Sequence, residues 1–321
     1  MAQLPFQSPV SKDIATGVLA TLVIFSVSVF MPVIGFFFTI FTPLPILFYR
    51  TKLGRSHGAV VPLIALLIMA IVFGGLTADM FFFSGLLLLG FAMSELFEKR
   101  LPLEITVLAT CGTVLGTGMI GLLLYSIAKG TGVFTLVSNY VSTNLALSLE
   151  LYKGIGIPQE TIDTISGSLD QIQYILVRIL PSLTVASTLF VAWTNLIAAR
   201  PIMKRRGLGF PDFGQLNHWR SPDVLIWGVI GCGLIMLVPS TGIRLVGING
   251  LLVLLTIYFL QGIAIVSFFF EKKNVPKGIR VFVYVMIGFQ QIFLLVVICL
   301  GLFDMWINFR KINTNETNLP S

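Results

Sequence analysis

The chain has 321 residues, 56% of them hydrophobic and only 11% charged, and a net charge of +7. A soluble domain carries about 25% charged residues, so a water-soluble globule is excluded and lipid is the solvent this composition fits. The basic excess lies in short loops beside apolar runs, which matches membrane topology and argues against nucleic acid as a partner.

A hydrocarbon core of about 30 Å takes about 20 helical residues to cross. Met1 to Lys12 is largely polar, and the apolar run behind it continues past any small-residue cleavage site, so a removed signal peptide is not expected. The run Ile14 to Tyr49 is too long for one span. Pro32, Gly35, Pro43 and Pro45 divide it into predicted spans Ile14 to Met31 and Val33 to Tyr49. The second is irregular where proline removes backbone donors, so it must face protein or a cavity. A basic turn with Arg50, Lys52 and Arg55 follows, then spans Ala59 to Leu76, Met80 to Phe97 and Leu103 to Ala128. Glu95, Glu98, Lys99, Arg100 and Glu104 read as a solvated charged loop. In the fifth span, Gly112, Gly116, Gly118 and Gly121 include one GxxxG and predict tight helix packing within the monomer, with a dimerisation face as the alternative.

From Lys129 to Gln173 the pattern is amphipathic. Val133, Phe134, Val137, Val141 and Leu145 recur at helical spacing, and Ile162, Ile165, Leu169, Ile172 and Leu176 form a second apolar face after Pro158. This segment is expected on the outer surface, lying on the bilayer or capping the bundle. Ile175 to Ala199 then descends to a pivot loop, 200–223, that concentrates Arg200, Lys204, Arg205, Arg206 and Arg220. Spans Val224 to Val238, Leu245 to Phe270 and Val281 to Phe303 follow, the last two separated by Glu271, Lys272, Lys273, Lys277 and Arg280. The polar tail, 304–321, is expected to be disordered beyond Lys311.

The fold class is therefore all-α: one integral membrane domain over 1–321, a polytopic bundle of nine spans, or eight if Ile14 to Tyr49 is a single bent span. Positive charge is kept on the cytoplasmic side of short loops. With the pivot loop inside, fifteen of the 21 basic residues fall on inside segments. Nine spans put Arg310 and Lys311 outside, against the same rule.

Phe213, Trp219, Pro222 and Trp227, then Tyr258 to Gly262, then Leu300, Gly301, Leu302, Asp304, Trp306, Phe309 and Arg310 resemble the YybS-like family of bacterial membrane proteins, a family of unknown function. The resemblance covers nearly the whole chain and implies a multi-pass protein of the bacterial cytoplasmic (inner) membrane. That family looks distantly like the substrate-binding S components of energy-coupling-factor transporters, which implies a six-span core over 14–199. The chain departs from that pattern in its three further spans and in lacking an AxxxA coupling motif, since Ala15 and Ala20 are five apart.

Polar side chains inside lipid are costly and are candidate sites for that reason. Gln261, Gln290 and Gln291 lie inside the last two spans and are predicted to meet, while Asn195 and Asn249 are similar intramembrane amides. Asp79 and Arg244 stand at outer span ends, where they would flank an outward-open pocket. The competing reading for each is inter-helix hydrogen bonding or solvation. Trp219, Trp227 and Trp306 read as interfacial anchors. Cys111, Cys232 and Cys299 are odd in number and lack CxxC spacing, and His57 and His218 are far apart, so no disulfide framework, metal site or cofactor is expected. No GxSxG, HExxH or P-loop spacing occurs, and the chain is read as a non-enzyme. The expected partners are the lipid bilayer and a small-molecule or lipid ligand bound by a transporter-like core. A membrane scaffold or assembly factor that holds partner proteins is the alternative.

Overall fold

The computed structural model describes residues 10–75 and 77–311. Expectations for the first nine residues and for the tail beyond Lys311 lie outside the described residues. Every regular element described is helical: α1 (Val10–Phe30), α2 (Pro32–Ile40), α3 (Pro43–Phe73), α4 (Ala78–Glu98), α5 (Leu103–Lys129), α6 (Val133–Gly154), α7 (Gln159–Gly167), α8 (Leu169–Arg205), α9 (Leu225–Met236), α10 (Thr241–Lys272), α11 (Lys277–Phe289) and α12 (Gln291–Ile307), with a short 3-10 turn at Leu216–His218. A helix satisfies its own backbone, which is why long apolar runs in lipid adopt it.

Among the described residues, six helices are long and apolar enough to cross a membrane, or seven if the bent pair α11–α12 counts as one. That count falls below the expected nine at three places. Ile34–Phe73 forms one 40-residue run, yet Gly54 within it has φ 77 and ψ 180 and is not helical. A Cβ on Gly58 would stand 2.6 Å from Arg50 Cα, and Gly17 of α1 lies against both Tyr49 and Val61. The run therefore doubles back at the Arg50 turn into two arms, 43–53 and 55–73. Next, α9 has 12 residues, about 18 Å of helix. Finally, α11 and α12 meet at 101°.

The break between α2 and α3 is closed from outside the helix. Pro43 has no N–H, and the Leu44 N–H bonds Phe41 O instead of continuing the ladder to Ile40. Asn195 of α8 donates to the Ile40 carbonyl at 2.7 Å. The irregular second span thus faces protein, as its prolines require. Ile46, Leu47, Val61, Ala65, Met69, Met93 and Leu196 are fully buried, which puts the core where both arms of α3 meet α4 and α8.

One face of the bundle collects the charged turns. Lys52 pairs with Asp13 at 2.7 Å, and the Phe97 ring stands 5.2 Å from Phe210 and 5.9 Å from Phe213. Trp219 Nε1 donates to Glu104 at 2.9 Å, and Asn217 donates to Glu271 at 2.6 Å. Arg310 donates to the carbonyls of Asn217 and Trp219, each at 2.9 Å. The start of α1, the Arg50 turn, the α4–α5 loop, the pivot loop and the ends of α10 and α12 therefore share this pivot face. Because α11 starts and α12 ends there, the pair enters and turns back at Gln290. This corrects the expectation that Arg310 lies on the opposite side and removes its conflict with the charge rule.

The α5 glycines do not pack as expected. A Cβ added at Gly112, Gly116 or Gly118 would meet nothing within 4 Å. The tight crossing lies elsewhere: a Cβ on Gly262 would stand 2.0 Å from Val297 O, and one on Gly301 2.0 Å from Tyr258 O. Only glycine lets the α10 and α12 backbones approach that closely.

Candidate functional site

The Gly262–Gly301 crossing positions a buried polar cluster at the pivot face. Asp304, three residues after Gly301 and so on the same side of α12, is 1% exposed. Its Oδ2 accepts from Arg310 Nη2 at 2.7 Å and from Gln261 Nε2 at 3.4 Å, while Oδ1 accepts the Phe309 N–H at 3.1 Å. Asn308 makes the sharp return possible by adopting φ 44, a left-handed conformation that asparagine tolerates. Gln261 Oε1 in turn accepts the Ser221 N–H at 3.1 Å and the Ser221 hydroxyl, and Arg220 Nη2 donates to Met305 O at 3.1 Å. The tail turn thus locks the pivot loop onto α10 and α12. A carboxylate, a guanidinium and an amide removed from solvent must satisfy one another, and here nearly all their polar atoms do.

A second buried ion cluster lies under the Arg50 turn. The Arg50 side chain has no exposed surface. It donates to Glu95 and Glu98 and to the Ser94 carbonyl at 3.2 Å, while its guanidinium faces the Phe91 ring at 5.9 Å. The expectation of a simply solvated charged loop is corrected here. Glu98 remains largely exposed, but Glu95 is mostly covered and tied to Arg50.

Of the seven residues singled out from sequence, Gln261 alone enters the pivot-face cluster. Gln290 and Gln291 are exposed at the α11–α12 break, and neither has a hydrogen bond to Gln261, so the expected meeting of the three is corrected. The reason is the bend, which carries the two glutamines away from α10. Asn195 bonds Ile40 O and Val191 O. Asn249 joins α10 to α8 through the Arg178 carbonyl at 3.0 Å, three residues before Pro181, where a proline ring disturbs the ladder. Both asparagines act as inter-helix bonds. At the opposite end, Asp79 accepts from the Tyr140 hydroxyl at 3.3 Å, and Arg244 Nε donates to Val238 O at 3.0 Å. Each binds its own neighbour. Trp219, expected at the lipid interface, instead packs against Trp193 with ring centroids 4.5 Å apart and the planes tilted by 55°, whereas Trp227 and Trp306 are exposed.

Arg50, Ser221, Asp304 and Arg310 are the cluster residues that sequence reasoning did not single out as sites. Asp304 and Arg310 stood among the residues of the family resemblance, and a lone acid closing an apolar run six residues before an arginine is a usable signal. Ser221 carries none. Among the described residues no three His, Cys, Asp or Glu side chains come together in a way that could hold a metal ion. Two apolar grooves open sideways: one between α1 and the second arm of α3, lined by Ser11, Ile14, Val18, Leu22, Val60 and Ile64, and one along α12 from Ile292 through Cys299 and Phe303 to Phe309.

These features define a polytopic helical membrane protein whose polar core groups bond one another and whose C-terminal turn secures the loop before α9. The chain belongs to the family described as "Predicted membrane protein (DUF2232)", which matches residues 19–305. It is similar to the Uncharacterized protein YybS of Bacillus subtilis (strain 168), with 23% identity over 300 residues that cover 88% of this chain and 91% of that protein. No solved structure matches, so the likeness to S components gains no support from fold. Of the residues that carry the family resemblance, Trp219, Gln261, Gly262, Gly301, Asp304, Phe309 and Arg310 meet at the pivot-face cluster.

Proposed function

We propose that this protein is a non-enzymatic, multi-pass protein of the bacterial cytoplasmic membrane that binds anionic lipid at its pivot face. The observation that carries this reading is the exposed run Lys204, Arg205 and Arg206, which among the described residues has no acidic partner, on a face where Glu95, Glu98, Asp13 and Asp304 are already paired. Basic residues at the cytoplasmic membrane surface attract anionic headgroups with about 1 kcal/mol each. The groove between α1 and α3 reaches the same face at Ser11, beside exposed Lys12, and offers an apolar track for an acyl chain. The intramembrane amides favour this over a solute-conducting core, because Asn195, Asn249 and Gln261 are committed to internal bonds.

The test is native mass spectrometry of protein taken from nanodiscs of mixed phosphatidylglycerol and phosphatidylcholine. Selective retention of phosphatidylglycerol, reduced by at least half in a Lys204→Glu, Arg205→Glu, Arg206→Glu variant, is expected. Equal retention of both lipids overturns the reading. The cytoplasmic placement is tested separately by Arg206→Cys, which should resist membrane-impermeant thiol reagents added outside intact cells.

The scaffold reading draws on the outer end, where α6 exposes Leu147 and Leu151 and is followed by exposed Ile155. In-cell crosslinking that captures a stoichiometric protein partner through this helix would favour it over lipid binding.

A further inference from the structure

Among the described residues, six buried side-chain atoms have no hydrogen-bond partner. Three are the Nε atoms of Arg50, Arg220 and Arg310, arginines that bond through their terminal nitrogens, and a fourth is the Tyr258 hydroxyl. The remaining two, Thr42 Oγ1 and Asn195 Oδ1, belong to one place, the break between α2 and α3, and neither residue has any exposed surface. Asn195 cannot relieve its oxygen by turning over. Its amide nitrogen uses both hydrogens on carbonyls, Ile40 O at 2.7 Å and Val191 O at 2.8 Å, and a flip would set oxygen against oxygen at both. Thr39 and Thr51, on either side of the break, each donate to the carbonyl four residues back at 2.8 Å. Thr42 makes no such bond.

The N–H groups of the break are already used. Phe41 donates to Phe38 O at 3.0 Å, Thr42 to Thr39 O at 3.1 Å and Leu44 to Phe41 O at 3.0 Å, and Pro43 has no N–H. The carbonyls that end α2 carry the negative end of its dipole into the same break. Gly90 of α4 closes the far side, where an added Cβ would stand 2.3 Å from Pro43 O. Thr42 lies eight residues before Arg50, about 12 Å from the pivot face, at a depth where bulk water does not supply a missing partner.

We infer that the break holds a monovalent alkali cation, with Asn195 Oδ1 and Thr42 Oγ1 as its side-chain ligands beside the carbonyls that end α2. The atoms on offer are oxygens, which suits a hard cation. All are neutral, which suits a single charge, whereas oxygen sites for divalent ions are built with carboxylates. Unwound carbonyls and half-helix C-termini of broken spans are groups that coordinate sodium inside membranes. The cation ties α2, α3 and α8 together and touches no residue of the basic pivot loop, so it stands apart from lipid binding.

The experiment uses the full chain in phosphatidylcholine nanodiscs prepared in choline chloride. Replacing choline by sodium at constant ionic strength should raise Tm along a saturable curve, and radioactive sodium should bind at about one ion per chain. Thr42→Val keeps the side-chain shape without the oxygen and should weaken sodium binding by about tenfold or more. Thr42→Ser should retain it, and Thr51→Val, whose lost hydroxyl bonds Leu47 O, should leave it unchanged. In the unmodified chain, sodium should slow hydrogen exchange at residues 41–46, a readout that holds even where Thr42→Val does not fold. Equal Tm in sodium and choline with no saturable binding overturns the inference and leaves a water to serve both oxygens. So does sodium binding that Thr42→Val leaves intact, or protection confined to other parts of the chain.

Discussion

The two ends of this bundle treat polar side chains in opposite ways. At the pivot face, networks form around buried arginines: Arg310 with Asp304, Gln261 and Ser221 in one, and Arg50 with the mostly covered Glu95 and the exposed Glu98 in the other. At the far end, Asp79 meets Tyr140 and Arg244 meets Val238 O as exposed single contacts. A buried ion loses several kcal/mol when its partner is removed, whereas an exposed pair contributes little. Removing a partner is therefore expected to cost more at the pivot face than at the far end.

The sharpest way to break this contrast is Asp304→Ala, which strands the buried Arg310 guanidinium. A loss of about 3–5 kcal/mol is expected, read as a fall in resistance to denaturation by sodium dodecyl sulfate, together with faster proteolysis in the pivot loop. Gly301→Ala comes next. Its methyl would collide with Tyr258 O, so α12 must move off α10 at about 1–3 kcal/mol, and the loop contacts through Asp304 should loosen with it. Arg50→Ala is expected to cost less, about 1–2 kcal/mol, because solvent already reaches much of Glu98.

The contrast is sharpened by two changes with small effects. Gly116→Ala, where the added methyl meets nothing, should leave stability unchanged or raise it by up to about 1 kcal/mol through helix propensity. At the far end, burial first and then the Asp79 charge raise the Tyr140 phenol above its ordinary 10. The unfolded phenol ionises first, so the contact's contribution is complete below about pH 10 and is lost as pH climbs through the raised folded value. Hydrogen exchange in α6 should accelerate over that window, and Tyr140→Phe should remove the pH dependence.

Much of the architecture was legible in the residues themselves. Proline positions predicted the broken second span, and the cluster of Arg50, Lys52 and Arg55 marked the turn where α3 doubles back. Apolar spacing around Val141 and Ile162 foretold α6 and α7, whose Val141 and Ile162 are the buried positions. The glycines show where such reading stops. A GxxxG stripe in α5 and the isolated Gly262 and Gly301 are equally plausible packing surfaces on paper, yet only the isolated pair lies at a close crossing. The candidate site divides the same way: Gln261 was found because an amide inside lipid stands out, whereas Ser221 is an ordinary loop serine until the fold seats it on Gln261.

Composition and local periodicity by themselves determined the solvent, the helical class and which turns gather positive charge, because each depends on neighbours within a few turns of chain. Only the tertiary structure decided which charges are buried and which helices touch. Arg50 finds Glu95 and Glu98 more than forty residues away, and Arg310 finds Asn217 and Trp219 about ninety residues back. Such pairings follow from helices packing in three dimensions, and the angle at Gln290 that returns α12 to the pivot face is fixed by that packing.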